Sequence, residues 1–181
     1  IMEKTIHIMR GLPGSGKSTW LEQNYPNIPT CSADHYFIDD EGIYRFNPRD
    51  LGFAHDECFE TFVSLTTSND YLRIPLEQIA IDNTNTKLWE FFGYVQVARH
   101  LNYKIAIHQF KPPCQARDDE EMRRYINKCH QRCIHGVPIQ TMFRMQRESE
   151  KIPPHWDVEI HDHYDDDLSA SYSDGSAKLS H

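Results

Sequence analysis

Short segments of strand length alternate with longer amphipathic segments along the chain. Four of the short segments are rich in apolar residues or alternate apolar with polar positions, and a fifth lies near the end of the chain. We therefore predict strands at 5–9, 29–33, 76–81, 104–110 and 156–160. The segments between them predict helices at 18–23, 53–66, 87–101, 118–133 and 139–151. In 53–66 and 87–101 the apolar positions, which include Phe53 and Phe92, can form one core-facing side. Strands that alternate with helices predict an α/β fold with a mostly parallel sheet.

A phosphate-binding pattern follows the first predicted strand directly. The segment Gly11–Thr19 matches G-x-x-x-x-G-K-[ST] at every fixed position and lies between a strand and the start of a helix. Backbone N–H groups of such a loop curve around a polyphosphate, and the helix N-terminus adds partial positive charge. The predicted nucleotide-binding residues are Gly11, Pro13, Gly14, Ser15, Gly16, Lys17, Ser18 and Thr19. The pattern predicts a nucleoside triphosphate site, with a glycine-rich turn as the alternative, and it leaves open what the phosphate is used for.

Polar residues also follow the next two predicted strands. Asp34 follows the second strand and Asp82 the third, and carboxyl ends of parallel strands meet at one edge of a sheet. Asp34 is therefore placed either to accept a hydroxyl proton or to cap a turn. Asp82 and Ser18 are candidate magnesium ligands. The neighbouring residues Asn83, Thr84 and Asn85 are candidate substrate contacts, or else cap the helix that follows.

The net charge of −8 is unevenly distributed over the 181 residues. From Asp157 onward there are seven acidic residues and one lysine, which leaves only −2 on residues 1–156. The segment 122–147 holds arginines and lysines but no acid. Two of its bases, Lys128 and Arg132, lie one helical turn apart, as expected either of a lid that stabilises a transferring phosphoryl group or of a solvated helix face.

We expect one domain over 1–160, with a lid at about 114–138, followed by an acidic, serine-rich tail at 161–181. Five cysteines without a paired framework favour a reducing compartment, the cytoplasm, or the host cytoplasm if the chain is viral. No apolar run is long enough for a membrane span, and no signal peptide is expected. The oligomeric state stays open.

The chain resembles the P-loop kinase family that contains the kinase domain of bacteriophage polynucleotide 5′-hydroxyl kinase. It is most similar to the ubiquitin-ligase-binding P-loop proteins of that family and their phage-encoded counterparts. The segments that carry the resemblance are, in family order, 11–20, 32–37, 54–55, 81–86, 132–138 and 144–145. The resemblance implies a kinase-type P-loop NTPase fold, a three-layer structure with a parallel sheet and a helical lid.

The same resemblance implies ATP and Mg²⁺ as cofactors and assigns roles by position. Asp34 matches the general base, Lys17 the phosphate-binding lysine, and Lys128 and Arg132 the lid bases, while Asp82 matches the acid of the D-x-T-N segment. The implied activity is transfer of the γ-phosphoryl group of ATP to a hydroxyl of a nucleic acid, DNA more than RNA.

One position departs from the family. Phe37 stands three residues after Asp34, where the phage enzyme has an arginine that holds the 3′-phosphate of the acceptor, and an aromatic residue there is suited to stack on a base. The loop 38–51 is also longer than a minimal kinase needs. The alternatives are therefore a kinase of 5-hydroxymethyluracil in DNA, a small nucleoside or nucleotide kinase, and a nucleotide-gated binding module.

Overall fold

Five parallel strands form the centre of the computed structural model, which describes residues 3–67 and 76–165. The strands are β1 Thr5–Arg10, β2 Thr30–Cys31, β3 Gln78–Asp82, β4 Lys104–Lys111 and β5 Glu159–Tyr164. The helices are α1 Lys17–Asn24, α2 Leu51–Thr67, α3 Leu88–His100, α4 Asp119–Arg132 and α5 Ile139–Glu148. The sheet order is β2-β3-β1-β4-β5, and every pair is parallel. The predicted α/β fold is confirmed, and β1 with the loop after it lies at the centre.

Helices cover both faces of this sheet. Successive residues of a strand point to opposite faces, so Ile6 and Ile8 of β1 face one way and Met9 the other. Ile6 and Ile8 share a buried cluster with residues of α2 and α3, whereas Met9 packs with Leu21 of α1. Every residue of β1 is buried as a result. This gives the three layers expected of the fold.

The core faces of α2 and α3 differ in detail from the predicted ones. In α2 the buried residues are Ala54, Cys58, Phe62 and Thr66, spaced four apart. Phe53, predicted to face the core, is 64% exposed, because it lies one residue off this stripe. In α3 the predicted core residue Phe92 is 41% exposed, and Tyr94 is buried instead.

The last strand begins and ends later than predicted. Pro153 and Pro154 lead into a short 3₁₀ turn at Pro154–Trp156, and β5 pairs with β4 only from Glu159 onward. The predicted boundary between domain and tail at 160 therefore falls inside β5, since Tyr164 still pairs with the sheet. The remainder of the predicted tail, 166–181, lies outside the described residues.

A row of histidines crosses the sheet beneath α1. His7 on β1 is 4% exposed and His108 on β4 is 3% exposed. His7 Nε2 lies 2.7 Å from Gln78 Oε1, His7 Nδ1 lies 3.1 Å from His108 Nε2, and His108 Nδ1 lies 3.0 Å from His163 Nε2. With the Gln78 oxygen as acceptor, His7 and His108 each donate from Nε2 and accept at Nδ1, and His163 donates from Nε2. His7 and His108 are therefore neutral in this arrangement, and the Trp20 ring packs against His108 and His163.

Arg10, the last residue of β1, joins three separate segments. Its guanidinium is buried and donates to the backbone oxygens of Asn85 and Thr86 and to the backbone oxygen of Glu150, and also to the side chain of Gln109. These contacts connect the end of β1 to the β3–α3 loop and to the segment after α5. The loop that leaves β1 therefore starts from a fixed point.

All five cysteines lie in the described part of the chain, and three of them, Cys31, Cys58 and Cys129, are buried. Among the described helices, none has both the length and the apolar character that crossing a membrane requires.

Candidate functional site

The phosphate-binding loop leaves β1 and leads directly into α1. Gly14 and Gly16 have φ of +72° and +98°, left-handed conformations that glycine adopts without a Cβ penalty. The Lys17 ammonium is buried and donates to the backbone oxygens of Gly11 at 3.1 Å and Leu12 at 2.7 Å. Burial lowers the pKa of Lys17, and the nearby Asp82 carboxylate opposes that shift. The loop thus encloses a cationic group at the N-terminus of α1.

Ser18 and Asp82 meet at the edge of the sheet beside this loop. The Ser18 hydroxyl donates to Asp82 Oδ2 at 2.5 Å, and Asp82 ends β3, the strand next to β1. A hydroxyl and a carboxylate are hard oxygen ligands of the kind that Mg²⁺ prefers. The two residues therefore fit a magnesium ion, and the structure brings them together as the sequence indicated.

Asp34 lies at the start of a 3₁₀ helix, Ala33–Phe37, just after β2. Its carboxylate is 46% exposed; the Tyr44 hydroxyl donates to Oδ1 at 3.0 Å, and His135 Nε2 lies 3.6 Å from Oδ2. The rings of Tyr44 and His135 also pack together, with centroids 4.4 Å apart. Burial and then the charge of Asp34 raise the pKa of Tyr44, so that its phenol stays protonated and keeps donating. Asp34 is therefore a solvent-accessible carboxylate with a fixed orientation.

Sequence reasoning assigned no role to Tyr44 or His135. His135 belongs to the segment 132–138 that carries part of the family resemblance, which was a signal that it lies near the site. His135 and Asp34 are about a hundred positions apart in the chain, so the spacing of residues in the sequence does not predict their contact.

Helix α4 lies directly on the phosphate-binding loop. A Cβ built on Gly14 would be 2.0 Å from the backbone oxygen of Cys129, so the two backbones touch. Leu12 of the loop shares a buried cluster with Ile126 and Cys129 of α4 and Met142 of α5. The predicted lid is therefore seated over the loop in this structure.

The two lid bases meet a single carboxylate. Lys128 Nζ lies 2.5 Å from Asp165 Oδ2, and Arg132 Nη1 lies 3.2 Å from Asp165 Oδ1. The Asp165 side chain is only 4% exposed, against 38% for Lys128 and 33% for Arg132. Lys128 and Arg132 are therefore held at the end of β5, close to the loop that α4 covers.

The predicted substrate contacts have other partners. Phe37, for which stacking on a base was predicted, is 4% exposed and packs in the main core, so its ring does not face a ligand in this structure. Asn83 Oδ1 accepts from the backbone of Ala33 at 2.9 Å, and Asn85, which is 1% exposed, donates to the backbone of Met9 at 2.8 Å. The backbone oxygen of Thr84 accepts from Gly11 at 2.9 Å. The segment 83–85 thus braces the strand end and the loop, whereas the N-cap of α3 is Lys87.

Ion pairs neutralise much of the basic segment 122–147. Four of its six arginines and lysines pair with acids: Arg124 with Glu120, Lys128 and Arg132 with Asp165, and Arg147 with Glu148. The segment therefore offers less unpaired positive charge than its composition indicates.

A parallel sheet with a P-loop after its central strand, an acid on the neighbouring strand and a helical lid over the loop gives the kinase-type P-loop fold. Two solved structures share this fold along nearly their whole length. One is a protein assigned as a kinase from Chloroflexus aurantiacus J-10-fl, with a TM-score of 0.55, 11% identity, and coverage of 96% of this chain and 98% of that one. The other is a gluconokinase from Sinorhizobium meliloti 1021, with a TM-score of 0.52, 14% identity, and coverage of 97% and 99%. These likenesses confirm the fold expected from the sequence.

No protein-family model matches the chain. Human NEDD4-binding protein 2 is a curated relative, 32% identical over 154 residues. The match takes in 76% of this chain but 7% of that protein, so the chain spans only a small part of its relative.

Proposed function

We propose that this chain transfers the γ-phosphoryl group of ATP to a hydroxyl acceptor. The observation that carries the proposal is Asp34, whose exposed carboxylate is oriented by Tyr44 and His135 beside a complete P-loop. A protein that only bound nucleotide would need the P-loop but not an oriented carboxylate. Lys128 and Arg132, held close to the same loop, give a phosphotransferase the cations that the transfer step requires.

The proposed reaction assigns one task to each group. Asp34 accepts the proton of the acceptor hydroxyl, and the acceptor oxygen forms a bond to the γ-phosphorus as the bond to the β,γ-bridging oxygen breaks. ADP leaves with that bridging oxygen. Lys17 and the two lid bases stabilise the charge on the phosphate oxygens. Ser18 and Asp82 would hold Mg²⁺, which supplies further charge neutralisation at the phosphates when it is bound.

A hydroxyl of a nucleic acid is the first acceptor we propose, and the family resemblance supports it. Two nucleic-acid hydroxyls are candidates: the 5′-hydroxyl of a strand and the hydroxymethyl group of 5-hydroxymethyluracil in DNA. Two exposed rings pack against the buried Phe37, with ring centroids 5.3 Å away for Tyr36 and 5.0 Å away for Phe46. Tyr36 is 38% exposed and Phe46 is 50% exposed, so these two take over the stacking role first given to Phe37.

A small hydroxyl compound of low negative charge is a second candidate, favoured by the charge on the acceptor side. Residues 34–60 contain eight acidic residues and two arginines. An acidic surface repels a phosphate-rich acceptor and tolerates an uncharged one. The ion pairs formed by four of the six bases in 122–147 point the same way, because they reduce the positive charge that could attract a nucleic acid.

One labelling experiment tests the reaction and its acceptor. Purified protein receives γ-labelled ATP and Mg²⁺ with a 5′-hydroxyl oligonucleotide, a 5-hydroxymethyluracil duplex with blocked ends, free nucleosides, or an uncharged polyol. We expect label on one class of acceptor. Label on none of them would favour the nucleotide-gated binding module.

The Asp34→Asn variant tests the base. Loss of the proton acceptor should lower transfer by about 100-fold or more while ATP affinity stays within about twofold. Asp40→Asn, at an exposed position of the loop 38–51, is the matched control and should keep full activity. An equal loss of ATP affinity in Asp34→Asn would show that Asp34 binds nucleotide or supports the fold.

A further inference from the structure

Asp165 is a nearly buried carboxylate in a part of the sequence that otherwise predicts a solvated acidic tail. It follows directly on Tyr164, which pairs with Lys111 of β4. Residue exposure is 3%, and the carboxylate contacts two cations of α4 at 2.5 and 3.2 Å. The reaction proposed above assigns Asp165 no task.

We propose that Asp165 is a positioning residue that holds Lys128 and Arg132 at the P-loop for the transfer step. The proposal rests on the proposed function, because it concerns the cations that act on the transferring group. The contacts of the Asp165 carboxylate with Lys128 and Arg132 form the Asp165 clamp.

The position of α4 makes such a clamp effective. The Cys129 backbone already touches Gly14 of the loop, and Lys128 precedes Cys129 directly. Arg132 lies one turn further along the same helix. Long lysine and arginine side chains lose considerable rotamer freedom when they are fixed, and a carboxylate that fixes them before ATP arrives removes that cost from the transfer step.

The Asp165 clamp is compatible with phosphate binding by the same cations. Arg132 contacts Asp165 through Nη1, and a guanidinium has donors on three nitrogens, so it can contact a carboxylate and a phosphate together. A third of each cation's side-chain surface is exposed, whereas the carboxylate is almost fully enclosed. Both cations therefore keep a surface that a phosphate can reach.

An inhibitory contact is the opposite interpretation, in which the carboxylate stands in for a phosphate and must leave before ATP binds. The burial of Asp165 argues against it, since the residue continues a strand that is paired into the sheet. A carboxylate fixed in this way is suited to hold α4 in position and is not suited to move away when ATP binds.

Asp165→Asn, Asp165→Glu and the control Asp162→Asn test the clamp in the full chain. Asp162 lies on the same strand and pairs with Lys111 at 3.0 Å, away from the lid bases. We expect Asp165→Asn to lower kcat by about tenfold with a smaller change in KM for ATP, Asp165→Glu to restore part of it, and Asp162→Asn to stay within about twofold. In a Lys128→Ala/Arg132→Ala background, Asp165→Asn should have no further effect on transfer, since the residue acts through those cations.

Two outcomes would overturn the proposal. Faster transfer by Asp165→Asn would identify an inhibitory contact, and an undiminished effect in the Lys128→Ala/Arg132→Ala background would identify a purely structural role. ATP binding gives a readout that does not depend on the acceptor: the rise in Tm on adding ATP and Mg²⁺ should shrink in Asp165→Asn and persist in Asp162→Asn. Absence of transfer by the unaltered protein would refute the proposed function, while this Tm comparison would still decide whether the clamp positions the lid cations.

Discussion

The histidine row across the sheet predicts that the protein loses stability as the pH falls through the weakly acidic range. Burial, and then the charge that His7 would carry, lower the pKa of His108 to about 3 from its usual 6.5. Burial lowers the pKa of His7 as well. Below pH 6.5 the unfolded chain therefore takes up protons at these positions that the folded protein does not, and the free energy of unfolding falls. The loss continues until the pH reaches the lowered pKa values of the folded state.

The size of the effect follows from the pKa difference at His108. One pKa unit corresponds to about 1.4 kcal/mol, so lowering the pH from 7.5 to 5 should reduce the free energy of unfolding by about 2 kcal/mol through His108 alone. His7 adds a loss of the same sign. Because protonating either ring removes an acceptor from the row, both losses come from the same hydrogen-bonded chain.

Urea unfolding at pH 7.5 and pH 5 measures this loss, in the parent chain and in two variants. His108→Gln removes the titrating ring and should reduce the difference between the two pH values by about 2 kcal/mol, whatever its effect at pH 7.5. His155→Gln is the control, since His155 is exposed, and should leave the difference unchanged. An unaltered pH difference in His108→Gln would refute the account of His7 and His108 as neutral and buried.

Two further variants test the packing around the loop. Gly14→Ala places a Cβ in a left-handed conformation and 2.0 Å from the Cys129 oxygen, so it should displace α4 and lower transfer about tenfold or more. Gly42 has φ of +78° but open space around it, so the control Gly42→Ala should cost only about 1 kcal/mol of stability and keep its activity. Equal activity in both would show that α4 need not touch the loop. Arg10→Gln should lower the free energy of unfolding by about 3 kcal/mol in urea because buried carbonyls lose their donor, whereas the exposed Arg124→Gln should change it by less than about 1 kcal/mol.

The sequence predicted the features that depend on local chemistry. A glycine-rich loop between a strand and a helix needs only its own residues to form, and the periodicity of the flanking segments indicates a parallel sheet without long-range information. The proximity of Ser18 and Asp82 could be predicted from the sequence, because both follow neighbouring parallel strands whose carboxyl ends meet at one edge of the sheet.

Features that depend on contacts between distant segments could not be predicted. Phe37 is an aromatic residue in an acidic loop, and only its packing against the core formed by other elements buries it. Asp165 belongs to a segment whose composition predicts a solvated tail, and its burial follows from the pairing of β5 with β4 and from α4 above it. Charge counts along 122–147 likewise missed the ion pairs that neutralise the segment.

The lid is held from three directions, and each contact belongs to a different part of the proposed reaction. Cys129 rests on the P-loop, Asp165 holds the lid bases, and His135 contacts Asp34 on the acceptor side. Moving α4 and the loop after it would disturb all three sets of contacts, because they lie within one continuous segment, 128–135. In the proposed reaction this segment therefore joins the two sides of the site, because it carries Lys128 and Arg132 and also contacts Asp34 through His135. A lid arranged in this way would favour reaction only when both substrates are in place.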